Sequence, residues 1–150
     1  MANMKKKVNS AALRLLSGWN AAGQSKRGGK KGLILVAHDD RFIRNQLSKI
    51  FLNLGYNVIV SNNGDDALSQ FIQHPADLAF TGLKLHGMGG LNLSNQIKAS
   101  SLNARVILIL DDWQENFLNR IKWGSFDYVL FKPIKIENIK KTVQFLLNTR

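Results

Sequence analysis

LILVAHDD, residues 33–40, joins an uninterrupted apolar run to a polar end. Short apolar runs of this kind are typical of parallel strands that are covered on both faces of a sheet. Asp39 and Asp40 are followed by apolar residues at helical spacing, and Gly55 ends that pattern. The stretch therefore predicts a strand, an acidic turn and a helix, which together form the first unit of an α/β fold.

The same alternation continues along the rest of the chain. Strands are predicted at 56–60, 77–81, 105–110 and 128–131. Helices are predicted between them, and a last helix is expected to follow Pro133. The fourth helix is expected to carry Trp113, Phe117, Ile121 and Trp123 and to end at Gly124. Strand and helix units in this order predict an open parallel sheet with helices on both faces.

The positive charge is concentrated at the start of the chain. Of a formal net charge of +11, residues 1–31 supply +8 and contain no acidic residue, whereas residues 32–150 supply +3. Residues 23–31 are rich in glycine, lysine and arginine and contain no apolar residue, which is typical of a linker. We therefore predict a basic, mostly flexible N-terminal extension, 1–31, and a globular domain, 32–150.

The function of this extension is left open between three interpretations. The extension could act as a solvated tail or as an electrostatic anchor. The third interpretation is that the first residues come from a vector or from a wrongly assigned start codon. As an anchor it would bind nucleic acid, anionic lipid or an acidic partner without sequence preference. The basic residues concerned are Lys5, Lys6, Lys7, Arg14, Lys26, Arg27, Lys30 and Lys31.

Composition excludes several classes of protein. The chain contains no cysteine, so disulfide scaffolds, cysteine-ligated zinc or iron–sulfur sites and thiol nucleophiles are excluded. No apolar run approaches the roughly 20 residues of a membrane helix, and the N-terminus lacks the apolar core of a secretory signal. We expect a soluble protein of the cytoplasm.

Several motifs, in order and spacing, resemble the receiver domain of two-component response regulators. They are residues 34–40, 64–68, 75–78, 87–91 and 124–133, which together span almost the whole of 32–150. The resemblance is greatest to receivers that consist of a single domain. It implies a doubly wound, flavodoxin-like fold with strand order 2-1-3-4-5 and a site at the carboxyl ends of strands 1, 3 and 5.

The resemblance also implies a set of chemical positions. Receivers accept a phosphoryl group from a histidine kinase on an aspartate at the end of strand 3. A divalent ion is held by that aspartate and by an acidic pair after strand 1. A hydroxyl at the end of strand 4 and a lysine at the end of strand 5 contact the phosphoryl oxygens.

Most of these positions carry other residues in this chain. The phosphoacceptor position falls on Gly82, the first of the acidic pair on His38, and the strand 4 hydroxyl on Leu110. Asp39 keeps the second acidic position, and Lys132, before Pro133, keeps the lysine, although strand 5 is one residue longer than the family pattern. The chain is thus predicted to be a pseudo-receiver: not an enzyme, without a cofactor, and binding Mg²⁺ weakly at Asp39, with Asp40 as a further ligand.

The remaining residues of this pocket carry further expectations. His38 is expected to fill the abandoned site beside Asp39, which should favour the charged imidazole. Lys132 is expected to pair with Asp39. Asp111 and Asp112 are expected to cap the fourth helix, with a position near Asp39 and Lys132 as the alternative. Thr81 should point away from the vacant position.

An aromatic group marks a candidate face for partner proteins. Its members are Trp113, Phe117, Trp123, Tyr128 and Phe131, in the fourth helix and fifth strand. Most are expected in the core, with one or two exposed as interface anchors. The preferred function is a phosphorylation-independent signalling module that acts by protein–protein contact, with a homodimer left open. The alternatives are a working phosphorelay receiver whose acceptor lies elsewhere, and a nucleic-acid-associated regulator that uses the basic arm.

Overall fold

The structure, a computed structural model, describes residues 31–119 and 125–148. Strands and helices alternate as β1 (Leu33–Ala37), α1 (Arg41–Asn53), β2 (Asn57–Ser61), α2 (Gly64–Gln73), β3 (Leu78–Gly82), α3 (Gly90–Ser100), β4 (Arg105–Leu110), a 3₁₀ helix (Asp112–Asn119), β5 (Tyr128–Phe131) and α4 (Ile136–Asn148). Strands β1, β4 and β5 have the predicted bounds, and β2 and β3 lie one residue later than predicted.

The strands form one parallel sheet in the order β2-β1-β3-β4-β5. This order and the α/β class confirm the predicted doubly wound fold. Because every strand runs in the same direction, the carboxyl ends of β1, β3, β4 and β5 meet at one edge of the sheet. In open sheets of this kind, that edge is where functional sites lie.

Helices cover both faces of the sheet, and each face has its own core. Helices α1 and α4 pack on one face, where Phe51 meets Phe80 of β3 with ring centroids 4.7 Å apart. Helices α2 and α3 pack on the other face through buried residues such as Phe71, Leu93 and Ile97. Strands buried on both sides explain why the sequence shows continuous apolar runs rather than alternation.

The connection after β4 differs from the prediction. The predicted fourth α-helix is a 3₁₀ helix over Asp112–Asn119, and Trp123 lies outside the described residues. The N–H of Gln114 donates to the Asp111 carbonyl at 2.9 Å, and the Gln114 Oε1 accepts from the Asp111 N–H at 2.7 Å. A 3₁₀ helix has three residues per turn, so Trp113 and Phe117 do not share one face as they would in an α-helix.

The described residues begin at Lys31, two residues before β1, and the Lys31 N–H donates to the Gly55 carbonyl at 3.0 Å. The other basic residues of the N-terminal extension lie outside the described residues, so the boundary near Gly32 stays a prediction. Within the part of the chain that the structure describes, no helix is both long enough and apolar enough to span a membrane.

Candidate functional site at the carboxyl edge of the sheet

His38 and Gly82 lie side by side at the ends of neighbouring strands. β1 and β3 pair up to Ala37 and Thr81, so the next residue of each strand faces the other. The imidazole is buried, with 3% of His38 exposed, and it covers Gly82. A Cβ added to Gly82 would lie 2.8 Å from His38 Cδ2 and 3.0 Å from Nε2. The histidine ring therefore occupies the space that any side chain at position 82 would need.

The hydrogen bonding of His38 fixes its protonation state. The backbone N–H of Asp40 donates to Nδ1 at 3.0 Å, so the ring proton is on Nε2. Burial and the positive charge of Lys132 lower the pKa of His38 to about 4. The expectation that Asp39 keeps this ring charged is wrong, because the effect of Asp39 on the pKa is smaller than burial and Lys132 combined. The Asp39 carboxylate, 3.3 Å from Nδ1, therefore faces a neutral imidazole at pH 7.

The two aspartates after β1 have different roles. Asp40 is the N-cap of α1: its carboxylate accepts from the N–H groups of Phe42 at 2.8 Å and Ile43 at 3.4 Å. A carboxylate at a helix N-terminus satisfies otherwise unpaired donors and interacts favourably with the helix dipole. Asp39 lines the pocket beside His38, with 46% of its side chain exposed. Only one of the two carboxylates is thus directed to the site.

Arg44 supports the site from behind, and sequence reasoning missed it. It lies in α1 with 2% of its surface exposed, and its Nη1 donates to the His38 carbonyl at 2.7 Å. Burial lowers the pKa of this guanidinium, and Asp40 opposes that shift. The sequence signal was its position next to Ile43 on the apolar side of α1, where a charged residue must find a buried partner.

Lys132 pairs with a carboxylate other than the one expected. Its Nζ lies 3.3 Å from Asp111 Oδ1, so the predicted ion pair with Asp39 is wrong. The N–H of Lys132 donates to the Leu110 carbonyl at 2.9 Å, which holds the lysine at the carboxyl edge despite the extra residue in β5. The two side chains are 23% and 36% exposed, so the pair contributes less than about 1 kcal/mol to stability.

These residues surround a pocket of about 200 Å³. Its lining is His38, Asp39, Leu83, Lys84, Ile109, Asp111, Trp113, Gln114 and Lys132. Lys84 and Trp113 form the rim, where the ammonium group lies 5.3 Å from the centre of the indole ring. This cation–π contact places an aromatic surface at the entrance.

Two residues considered for the site do not line it. Leu110, at the position where the family pattern has a hydroxyl, is fully buried and is absent from the pocket lining. Thr81 is also fully buried, and its hydroxyl donates to the Gly82 carbonyl at 2.9 Å. Neither residue brings a hydroxyl group into the pocket.

The aromatic group is more exposed than expected. Trp113 is 69% exposed, and Tyr128 and Phe131 are each 38% exposed, while Phe117 is half-buried. Tyr128 contacts Phe145 of α4, with ring centroids 6.5 Å apart. The expectation that most of these aromatics are core residues is therefore wrong for three of the four that the structure describes.

The donor set does not fit a magnesium ion of the receiver type. Mg²⁺ prefers clustered oxygen ligands in octahedral geometry. Here Gly82 offers no side chain, and the Nδ1 of His38 and the Asp40 carboxylate are engaged with backbone N–H groups. The pocket keeps the carboxylates of Asp39 and of Asp111, and Asp111 is paired with Lys132. Across residues 31–119 and 125–148, no three histidine or acidic side chains are grouped so that they could hold a metal ion.

Comparison with known proteins gives a consistent result. A family profile of the response regulator receiver domain matches residues 34–144. The chemotaxis protein CheY of Bacillus subtilis is 25% identical over 117 residues, which cover 77% of this chain and 97% of CheY. The transcriptional regulatory protein ZraR of Escherichia coli is 32% identical over 114 residues, which cover 74% of this chain. The matched part is only 25% of ZraR.

Solved structures show the same fold. The receiver domain of NtrX from Brucella abortus superposes with a TM-score of 0.71 at 24% identity, covering 78% of this chain and 99% of that domain. A receiver domain protein from Clostridium thermocellum also gives a TM-score of 0.71, at 18% identity, and covers 78% of this chain and 94% of its own. At these identities the likeness concerns the fold alone.

Proposed function

Because the chain belongs to the response regulator receiver domain family, we propose that it is a signalling module that accepts no phosphoryl group and acts by contact with a partner protein. Receiver domains are generally signalling modules rather than enzymes, and we assign no catalytic residue here. We place its action in the cytoplasm, where two-component signalling occurs.

The observation that carries this proposal is the imidazole of His38 lying over Gly82. Phosphotransfer needs a nucleophilic carboxylate, and the position that the family pattern gives it has neither a side chain nor room for one. The surroundings support the same conclusion, because His38 replaces the first acid of the pair, Asp40 caps α1, and Leu110 replaces the hydroxyl. The conformation of the pocket is then set by the chain itself rather than by phosphorylation.

Incubation with acetyl phosphate and Mg²⁺ should leave the mass of the intact protein unchanged, because Gly82 offers no acceptor. Intact-mass spectrometry makes the measurement, with an active single-domain receiver as the positive control. A single added phosphoryl group that hydroxylamine removes would contradict the proposal and support a working receiver with its acceptor elsewhere. Gly82→Asp alone should not restore labelling, because His38 and Leu110 remain.

The partner surface that we propose is the exposed part of the aromatic group, in the 3₁₀ helix and β5. Trp113, Tyr128 and Phe131 are at least 38% exposed, and large aromatic side chains are the residues that most often anchor protein interfaces. A second copy of the chain and a different protein are both compatible with this surface. Loss of partner capture in Tyr128→Ser, with Leu102→Ser as an exposed apolar control, tests the assignment.

A second activity is favoured by the charge of the N-terminal extension. Eight basic residues among the first 31, without an acid, should bind polyanions such as duplex DNA. If about half of them engage phosphates, log affinity should fall with log salt at a slope of roughly −3 to −4. Titration of duplex DNA at several salt concentrations measures this slope.

The matched control is the chain without residues 1–31, whose charge is only +3. It should lose most of the DNA binding but keep its protein partner. Equal DNA affinity of the two chains would mean that the extension is inert. A preference for anionic vesicles that is lost when Leu13, Leu15 and Leu16 are made polar would instead indicate a membrane-surface helix.

A further inference from the structure

The pocket at the carboxyl edge combines hydrogen-bond donors with an apolar wall. Lys132 provides an ammonium group, and the His38 ring, whose other nitrogen is held by the Asp40 N–H, presents Nε2–H. Among the described residues, no acceptor is hydrogen-bonded to this N–H. His38 is 3% exposed and lines the pocket, so the part of its ring that stays accessible faces this space.

Only part of the pocket wall is apolar, because six of the nine lining residues are polar or charged. Leu83, Ile109 and Trp113 line it together with the two donors. Its volume of about 200 Å³ exceeds the roughly 150 Å³ of an apolar protein cavity that takes up benzene. The space thus suits a ligand with an apolar body about the size of one aromatic ring.

The charges around the pocket limit the charge of such a ligand. Lys132 and Lys84 are cationic, but Asp39 and Asp111 are anionic, and His38 is neutral at pH 7. Asp39 and Asp111 repel any anion, and they repel a dianion such as a phosphate monoester about twice as strongly as a monoanion. A monoanion needs one ammonium group and one neutral donor, which is the pair that Lys132 and His38 present.

We propose that this pocket binds a small organic monocarboxylate, whose carboxylate accepts from His38 Nε2–H and Lys132 Nζ and whose apolar body packs on Trp113 and Leu83. The ligand competes with Asp111 for Lys132. The distance between Lys132 Nζ and Asp111 Oδ1 is 3.3 Å, which is longer than a strong charge-assisted hydrogen bond. Occupancy of the pocket then changes the environment of Trp113, which belongs to the proposed partner surface. This inference rests on the proposed loss of phosphotransfer, because a phosphorylated acceptor would fill the same space.

The probe for the test is benzoate, added to the full chain and followed by nuclear magnetic resonance. We expect saturable shifts of the Trp113 indole N–H and of the His38 Nε2–H, the latter downfield as it gains an acceptor. Benzamide, which has the same shape without the charge, should bind about tenfold or more weakly, because hydrogen bonds to charged groups are the stronger ones. Phenyl phosphate in its dianionic form should also bind more weakly than benzoate.

Two variants locate the contact, and one serves as a control. Lys132→Gln removes the charge, and His38→Phe keeps a ring over Gly82 but removes the donor; each should weaken benzoate binding about tenfold or more. Lys135→Gln, an exposed lysine outside the pocket, should bind benzoate like the unmodified chain. Equal binding of benzoate and benzamide, unchanged binding by both pocket variants, or no saturable shift at Trp113 would each overturn the proposal.

The test separates this proposal from the proposed function. A mass increase with acetyl phosphate would contradict the absence of phosphotransfer, whereas benzoate transfers no group and reports only on the pocket. No benzoate binding together with an unchanged mass would overturn the carboxylate site and leave the phosphorylation-independent module intact.

Discussion

Gly82→Asp should destabilise the folded chain by about 3 kcal/mol, because the new side chain enters space that His38 fills and adds a buried carboxylate there. Its Cβ would lie 2.8 Å from His38 Cδ2. The ring cannot move easily, because its Nδ1 accepts from the Asp40 N–H. The backbone carbonyl of His38 is also held, since it accepts from Arg44. The urea midpoint of unfolding, with the slope unchanged, measures the loss of stability.

A double-mutant cycle isolates the steric part of this effect. Gly82→Ala adds only the Cβ and should cost about 1–3 kcal/mol in the original chain. In a His38→Ala background the same substitution should cost much less, because the ring that it would meet is gone. An equal cost in both backgrounds would show that the imidazole does not limit position 82.

Restoring both acids should make the chain responsive to magnesium. The double variant His38→Asp, Gly82→Asp places carboxylates at positions 38, 39 and 82, which repel one another until a divalent ion neutralises them. Millimolar Mg²⁺ should therefore raise its melting temperature, since a ligand that binds only the folded state stabilises it. The same Mg²⁺ concentration should leave the melting temperature of the original chain unchanged, and an equal rise in both would contradict the assignment of these positions.

Acidification should weaken the fold through His38, by up to about 3 kcal/mol. The pKa of this residue is about 4 in the folded chain, below the 6.5 of an unhindered imidazole, chiefly because of burial and then of Lys132. A depressed pKa means that the unfolded chain binds the proton more tightly between these two values. The free energy of unfolding should therefore fall as pH drops from about 6.5 to 4 and gain nothing further from this group above 6.5.

The matched control is His38→Gln, which keeps a polar side chain without a titrating proton. Because carboxylates also titrate toward the lower end of this range, the measured quantity is the difference between the pH profiles of the two chains in urea unfolding. The free energy of unfolding should fall more in the original chain than in His38→Gln between pH 7 and pH 4. Parallel profiles from pH 7 to 4 would mean that His38 is not held neutral by its surroundings.

The sheet could be predicted from the sequence because its strands are buried on both faces and appear as continuous apolar runs. The 3₁₀ helix could not, because the spacing of Trp113 and Phe117 satisfies α-helical periodicity equally well. The 3₁₀ helix is accompanied by a hydrogen bond from the Asp111 N–H to the Gln114 side chain. The spacing of apolar residues in the sequence does not reveal such a bond.

The site was predicted in part: His38, Asp39 and Lys132 line the pocket, whereas Asp40 and Leu110 do not. The family pattern placed His38, Gly82 and Lys132 at one edge of the sheet, and the strand order brings those positions together. Which carboxylate Lys132 meets depends on where β4 ends, and that end brings Asp111 closer than Asp39. The neutrality of His38 was equally hidden, because it results first from burial, which the sequence does not give, and then from the charge of Lys132.

The contact between His38 and Gly82 also orders the substitutions by which a chain like this one could gain an acceptor. A change at position 82 made first meets the ring and loses stability, whereas a change at position 38 made first clears the space. Gain of an acceptor at position 82 therefore depends on the order of the two substitutions, because only one order avoids a strained intermediate. A contact of this kind makes a glycine at position 82 persist during evolution, even where each single codon change is accessible.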